Sequence, residues 1–126
     1  MIAYPRRVEI RSRDGAEPFT TADGSTIRSL LDRAVAPVRN QSLAEATLEP
    51  GQETTRHYHR VSEELYYLVQ GGGLMEVDGE TASVAAGDAI LIPPGAWHQL
   101  RNTGDGPLRL LCCCAPPYAH EDTYFA

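Results

Sequence analysis

Residues 51–71 read GQETTRHYHRVSEELYYLVQG, and the interpretation of the whole chain starts from this stretch. His57 and His59 stand two positions apart in a strand-like run, so on an extended strand both imidazoles point to the same face. Glu64 begins the next strand-like run and can bring a carboxylate to the same place. Two imidazoles close together on one face of a strand are unfavourable for the fold unless something binds between them. The stretch therefore indicates a binding site.

A second stretch, residues 87–102, reads GDAILIPPGAWHQLRN and supplies a third histidine. His98 is distant from the first pair in sequence and joins it only if the sheet closes on itself. Three neutral imidazoles and one carboxylate are good ligands for a divalent first-row transition metal. A lone histidine in a strand is more often an ordinary surface or core residue, so the residues around these four decide the interpretation.

The rest of the chain from residue 43 onward reads as short strands separated by turn residues. Asp78-Gly79 between two β runs is the strongest hairpin signal. Seven short strand-like runs with no helix between them predict an all-β sandwich or barrel. These runs are Ala44–Leu48, Arg56–Arg60, Leu65–Val69, Leu74–Val77, Ala89–Ile92, Trp97–Asn102 and Leu108–Cys114.

The chain length of 126 residues fits a single domain. We expect an N-terminal extension over residues 1–40, a barrel core over 41–115 and a short tail over 116–126. Within the extension, Asp23-Gly24-Ser25 has the composition of a helix N-cap and predicts one or two helical turns over Thr26–Leu31.

Composition excludes several classes of function. All 11 basic residues are arginine, so a Schiff-base lysine or a phosphate-loop lysine cannot be present in this chain. The net charge of −6 argues against a nucleic-acid partner.

Met1–Ile10 shows no secretory signal and Leu108–Ala115 is too short to span a membrane, which favours a cytoplasmic protein without a membrane partner. Three adjacent cysteines, Cys112 to Cys114, cannot form a disulfide framework with each other and are expected to be small buried hydrophobes.

The two quoted stretches resemble the two motifs of the cupin superfamily. The first motif is a glycine, five residues, His-x-His, four residues, a glutamate, six residues and a glycine; the second is a glycine, five residues, Pro-x-Gly, two residues, a histidine, three residues and an asparagine. Every specified position matches. The resemblance implies an all-β fold, a small double-stranded β-helix or jelly-roll barrel.

The resemblance also implies a ligand set: His57, His59, Glu64 and His98 would hold one divalent transition-metal ion inside the barrel. Iron, manganese, zinc, nickel and copper all remain open. Glu63 competes with Glu64 because the family tolerates either spacing. Glu64 is preferred since it alone leaves six residues before the closing glycine.

Strand parity extends the interpretation from Glu64 along its strand. If Glu64 faces inward, Tyr66 follows it, and this phenol beside the site is a candidate catalytic residue. The other face of the strand carries Leu65, Tyr67 and Val69 and is also apolar, so something is expected to cover it. A second subunit or the N-terminal extension would serve. Small cupins are often dimers, which favours a homodimer.

Two functions fit these features. The first is a metal-dependent enzyme acting on a small organic molecule, either by dioxygenase-type chemistry or by redox-neutral isomerase, cyclase or lyase chemistry. The second is a non-catalytic, metal-containing module that binds a small molecule. No arginine is clearly aimed at the pocket, so an obligatory phosphorylated substrate is not supported. The positive charge of the site is therefore expected to be a metal ion.

Overall fold

The computed structural model describes residues 4–21 and 24–126. Within these residues the regular structure is β, with two single-turn 3₁₀ segments at Arg13–Gly15 and His120–Asp122. The strands are β1 (Phe19–Thr20), β2 (Thr26–Leu31), β3 (Ser42–Leu48), β4 (His57–His59), β5 (Glu63–Gln70), β6 (Gly72–Val77), β7 (Glu80–Ala85), β8 (Ala89–Ile92), β9 (His98–Asn102), β10 (Leu108–Ala115) and β11 (Thr123–Phe125).

The strands form two antiparallel sheets. One sheet has the order β1-β2-β3-β10-β5-β8 and the other the order β11-β4-β9-β6-β7. Neighbours in the sheets are often distant in sequence, which is the pattern of a jelly roll rather than of a simple meander. The predicted all-β, jelly-roll barrel is confirmed, and each of the seven predicted runs corresponds to a strand whose ends differ by no more than two residues.

The short helix predicted over Thr26–Leu31 is wrong, because these residues form strand β2. They pair with β3 from Thr26↔Thr47 to Leu31↔Leu43. One or two helical turns are only marginally stable on their own, whereas pairing along a neighbouring strand satisfies the backbone at once. Asp23, part of the expected cap, lies outside the described residues.

The hairpin predicted at Asp78-Gly79 is present, and it is followed by a strand that the sequence patterns did not indicate. Asp78 has φ +48° and Gly79 has φ +86°, and the flanking residues Val77 and Glu80 are paired. Positive φ at both central positions is the geometry of a two-residue type I′ turn. Strand β7 (Glu80–Ala85) is mostly exposed and Val84 is its one large apolar residue, so it lacks the apolar alternation that marks a strand.

The interior between the sheets is apolar at one end and polar at the other. Leucine side chains fill the apolar end, where Leu48, Leu68, Leu108 and Leu110 are almost fully buried, whereas the buried Ile92 is the cross-strand partner of Glu64. The polar end contains the histidines and Glu64.

Both terminal segments contribute strands to the sheets. Strand β2 extends the larger sheet through β3, and β11 extends the smaller sheet by pairing with β4. The segment between β10 and β11 therefore returns the chain to the strand that carries His57 and His59. In the described residues, we find no helix with the length and apolar character needed to cross a membrane.

Candidate metal centre

The four predicted residues come together at the polar end of the barrel. His57 and His59 lie on β4, Glu64 on β5 and His98 on β9, and all four side chains are buried. One ligand atom from each residue lies within 4.8 Å of the corresponding atom of every other residue. Glu63, the competing candidate, is exposed on the opposite face of β5.

Strand geometry explains how residues so distant in sequence meet. On β4 the alternation turns both histidines inward and Tyr58 outward. His57 is the direct cross-strand partner of His98 on β9, and their ring centroids are 4.2 Å apart. Just before β9, the backbone N–H of Gly95 donates to the carbonyl oxygen of His59 at 2.7 Å. The turn that precedes His98 is thereby fixed to the strand that carries the other two imidazoles.

All three imidazoles are held in the same tautomer. Nδ1 of His57 lies 2.7 Å from the carbonyl oxygen of Thr55, and Nδ1 of His98 lies 3.0 Å from that of Ala96. A carbonyl oxygen can only accept, so each Nδ1 carries the proton. The partner of His59 is Thr123, and its arrangement leads to the same tautomer.

Nδ1 of His59 lies 3.1 Å from the hydroxyl oxygen of Thr123, and that hydroxyl donates its own proton to the carbonyl oxygen of Ala119. The hydroxyl oxygen therefore accepts from Nδ1 of His59. In a neutral imidazole with its proton on Nδ1, the Nε2 atom has a free lone pair. This is the tautomer in which Nε2 can bind a metal ion.

The carboxylate of Glu64 lies close to the Nε2 atoms of two of these imidazoles. Oε1 of Glu64 lies 3.2 Å from Nε2 of His59 and 3.4 Å from Nε2 of His98. Oε1 of Glu64 and Nε2 of His98 are both buried and have no hydrogen-bond partner. Buried polar atoms in this state are costly unless a cation lies between them. The donor set therefore fits a divalent transition metal.

The charge of Glu64 agrees with this arrangement. Burial alone would raise the pKa of its carboxyl group, but the neighbouring imidazoles of His59 and His98 outweigh burial and lower the pKa to about 2. A hydrogen bond from Nε2 of either imidazole to Glu64 would need a second proton on that ring, because each Nδ1 already carries one. A protonated imidazole and a metal ion thus satisfy the same requirement for positive charge.

A cavity of about 130 Å³ adjoins the cluster. His57, His59 and Glu64 form part of its wall, and Phe19 and Ile27 from the N-terminal strands form another part. No arginine lines it in the described part of the chain, as strand parity predicted. An apolar cavity of about 150 Å³ is large enough for benzene, so this one matches a molecule of about one ring.

Two phenols line the cavity beside the cluster, Tyr66 and Tyr118, and the ring centroid of Tyr118 is 6.0 Å from that of His59. Tyr66 is the one that strand parity predicted. It is buried on β5, it lines the cavity, and its ring is edge-on to that of His98 with centroids 6.1 Å apart. Trp97, by contrast, faces outward, where it contacts Tyr58 and the guanidinium group of Arg56. Trp97 does not line the cavity.

Two residues to which the sequence assigned no role at the site support the cluster: Thr123 holds His59, and Cys114, expected only to be a small buried hydrophobe, contacts Glu64. The Cys114 Sγ atom lies 3.2 Å from Oε2 of Glu64. Burial raises the pKa of the Cys114 thiol, and the neighbouring carboxylate adds to this effect, so the thiol keeps its proton. Alternation along β10 puts Cys112 and Cys114 on one face, but only the observed register shows that this face points toward Glu64.

Comparison with known proteins gives the family. Residues 44–114 match the model described as "Cupin domain", which is more than half of the chain. The chain belongs to the cupin family.

Individual relatives show how far this similarity extends. This cupin is 48% identical over 110 residues to an uncharacterised protein of Methanocaldococcus jannaschii, covering 87% of this chain and 88% of that one. It is 31% identical over 112 residues to the polyketide synthase protein CurC of Streptomyces cyaneus, covering 89% and 70%. A solved structure of Streptomyces Pac13 with uridine superposes with a TM-score of 0.76 at 20% identity, covering 92% and 88%, and shows the shared fold.

Proposed function

We propose that this cupin binds one divalent transition-metal ion through His57, His59, Glu64 and His98 and is an enzyme acting on a small organic molecule. The observation that carries the proposal is the pair of buried atoms, Oε1 of Glu64 and Nε2 of His98, which lie 3.4 Å apart and have no hydrogen-bond partner. The adjoining cavity supplies room for the molecule on which the enzyme acts.

The substrate class follows from the wall of the cavity. A bound metal would supply Lewis-acid activation of an oxygen donor, or electron transfer if the ion is redox-active. Because no arginine lines the cavity in the described residues, a phosphorylated substrate is disfavoured. The cavity volume and its apolar walls favour a molecule of about one ring that binds through oxygen atoms.

The roles of the protein groups can be stated without choosing between dioxygenase-type and isomerase, cyclase or lyase chemistry. Apolar side chains such as Leu48, Leu100 and Leu110 line the cavity, and this apolar lining would strengthen electrostatic interactions within it. Tyr66 lies on the cavity wall beside His98, where its phenol would hold or move a proton of the substrate.

Metal analysis tests the site. We expect protein purified without added metal to contain about one equivalent of a transition metal. The variant His98→Ala should lose most of it, and His120→Ala, which changes an exposed histidine of the C-terminal segment, should retain it. No stoichiometric metal in the wild type, or equal metal content in the two variants, would overturn the ligand assignment.

A substrate panel tests the chemistry. Oxygen consumption with enols, diketones or catechols would establish the dioxygenase branch, and product formation without oxygen uptake would establish the redox-neutral branch. With an active substrate, Tyr66→Phe should lower kcat by about 100-fold while leaving the metal content unchanged. Tight binding of panel members with no turnover would instead establish a metal-containing binding module.

A cytoplasmic location and a homodimer also remain proposals for this cupin. The exposed apolar patch on β5 and β8 supports the second, and its test is given in the Discussion.

A further inference from the structure

The two oxygens of Glu64 have different surroundings. Oε1 faces the imidazoles of His59 and His98 and has no hydrogen-bond partner. Oε2 points to the opposite side, where the Cys114 Sγ atom lies 3.2 Å away and donates its proton. One oxygen of the carboxylate is therefore directed at the candidate metal position, and the other accepts a hydrogen bond from the thiol of Cys114.

The position of this thiol is set by strand pairing. Cys114 on β10 lies between Ser42 on β3 and Glu64 on β5, and it is the direct cross-strand partner of both. The Ser42 side chain contacts the thiol, and its hydroxyl oxygen accepts a hydrogen bond of 2.8 Å from the backbone N–H of Tyr118. All three side chains are buried, so this row of polar groups crosses three strands without access to bulk water.

A carboxylate near a metal can bind through one oxygen or through both. Rotation about its last side-chain bond exchanges these modes easily when nothing holds the second oxygen. Groups that hydrogen-bond to a metal ligand fix its orientation, and losing such a group commonly weakens metal binding 10- to 100-fold. For Glu64, Cys114 makes the only hydrogen bond seen to Oε2 among the described residues.

We propose that Cys114 is a positioning residue that holds Oε2 of Glu64 and so makes Glu64 a one-oxygen ligand of the bound metal. This inference rests on the proposed metal centre. It gives the buried Cys114 a role distinct from that of Cys113, which lies on the other face of β10 and does not line the cavity.

The test uses Co²⁺ as the probe metal in the 126-residue chain. The variants are Cys114→Ala, which removes the donor, Cys114→Ser, which replaces the thiol by a hydroxyl, and Cys113→Ala as a control on the same strand. Two quantities are measured for each protein: the Co²⁺ dissociation constant by competition with a chelator, and the visible absorption spectrum of the Co²⁺ form, which reports the coordination of the ion.

We expect Cys114→Ala to bind Co²⁺ about tenfold more weakly and to show a changed spectrum. Cys114→Ser should stay within about threefold of the wild type because a hydroxyl also donates. Cys113→Ala should match the wild type in both measurements. A changed spectrum distinguishes reorientation of Glu64 from a merely loosened core, because loosening alone leaves the ligand atoms the same.

The results separate this proposal from the one on which it depends. If the wild type binds Co²⁺ and Cys114→Ala has the affinity and spectrum of Cys113→Ala, the role of Cys114 is overturned and the metal centre stands. If the wild type itself does not bind Co²⁺, the metal centre is overturned and this inference with it. Should Cys114→Ala fail to fold, the serine variant still decides: a hydroxyl that does not preserve the affinity would overturn the proposal.

Discussion

At the scale of single residues, the cluster depends on groups that select the tautomer of each imidazole. Backbone carbonyl groups do this for His57 and His98, and these cannot be removed by substitution. His59 differs because its partner is the side chain of Thr123, which comes from the last strand of the sheet. This one orienting contact can therefore be tested by mutation.

We expect Thr123→Val to weaken metal binding about tenfold, because valine keeps the shape and β-propensity of threonine but cannot accept from Nδ1 of His59. Thr123→Ser keeps the hydroxyl and should bind metal nearly as well as the wild type. Competition with a chelator measures both. Equal affinities in the valine and serine variants would show that Thr123 does not orient His59.

The charge of Glu64 predicts a pH dependence of stability. Its pKa in the folded protein is about 2, below the value of about 4.3 expected in the unfolded chain. A lowered folded-state pKa means that the ionised carboxylate stabilises the fold above the unfolded value and that this contribution is lost as the pH falls through the folded value.

We therefore expect the free energy of unfolding of the metal-free protein to fall between about pH 5 and pH 2. Glu64→Gln should show a shallower decline, and Glu63→Gln, which changes the exposed neighbour, should decline like the wild type. Denaturant unfolding at a series of pH values makes the comparison. An equally steep decline in Glu64→Gln would contradict the assignment.

At the scale of elements, the two glycines at the ends of the first motif, Gly51 and Gly71, differ in the space around their Cα atoms. Gly51 has φ +80° and Gly71 has φ +77°, so both adopt a backbone conformation that side chains disfavour. A methyl group on Gly51 would meet nothing within 4 Å, whereas one on Gly71 would lie 2.5 Å from the carbonyl oxygen of Pro107. The second contact is with backbone and cannot be relieved by a side-chain rotation.

We expect Gly51→Ala to lower the free energy of unfolding by about 1–2 kcal/mol, the cost of the left-handed conformation alone. Gly71→Ala should cost clearly more, since the turn after β5 must also move away from the segment before β10. Denaturant unfolding of both variants measures the difference. Equal losses of unfolding free energy in the two variants would show that the turn at Gly71 can move without disturbing the barrel.

The elements also show which parts of the structure the sequence could predict. Alternation and turn residues located the strands around the cluster, because inward and outward positions there differ strongly in polarity. The strand at 26–31 was predicted as a helix, since its short run has no alternation and its pairing with β3 is a long-range choice. The roles of Thr123 and Cys114 depend on register between strands distant in sequence, and no local pattern encodes register.

At the scale of the whole molecule, the two faces of the larger sheet differ in what covers them. The inner face of β5 packs against the core, but its outer face leaves an apolar patch in water. Leu65 and Tyr67 are each 47% exposed, and Leu91, the cross-strand partner of Leu65 on β8, is 57% exposed. The N-terminal strands β1 and β2 lie at the opposite edge of this sheet from β5 and β8, and they join it through β3. Strands β1 and β2 therefore do not cover this face, and we propose a second copy of the chain as its covering.

We expect the wild type to sediment as a homodimer through this patch, at twice the monomer mass of 13.8 kDa. Leu65→Glu places a charge at the centre of the patch, where desolvating it against a like charge from the partner would oppose association. Leu74→Glu is the matched control, since Leu74 is an exposed leucine on β6 of the other sheet. Sedimentation velocity should therefore show a monomer for Leu65→Glu and a dimer for Leu74→Glu. A monomeric wild type would contradict the homodimer, and dissociation by Leu74→Glu alone would move the interface to the smaller sheet.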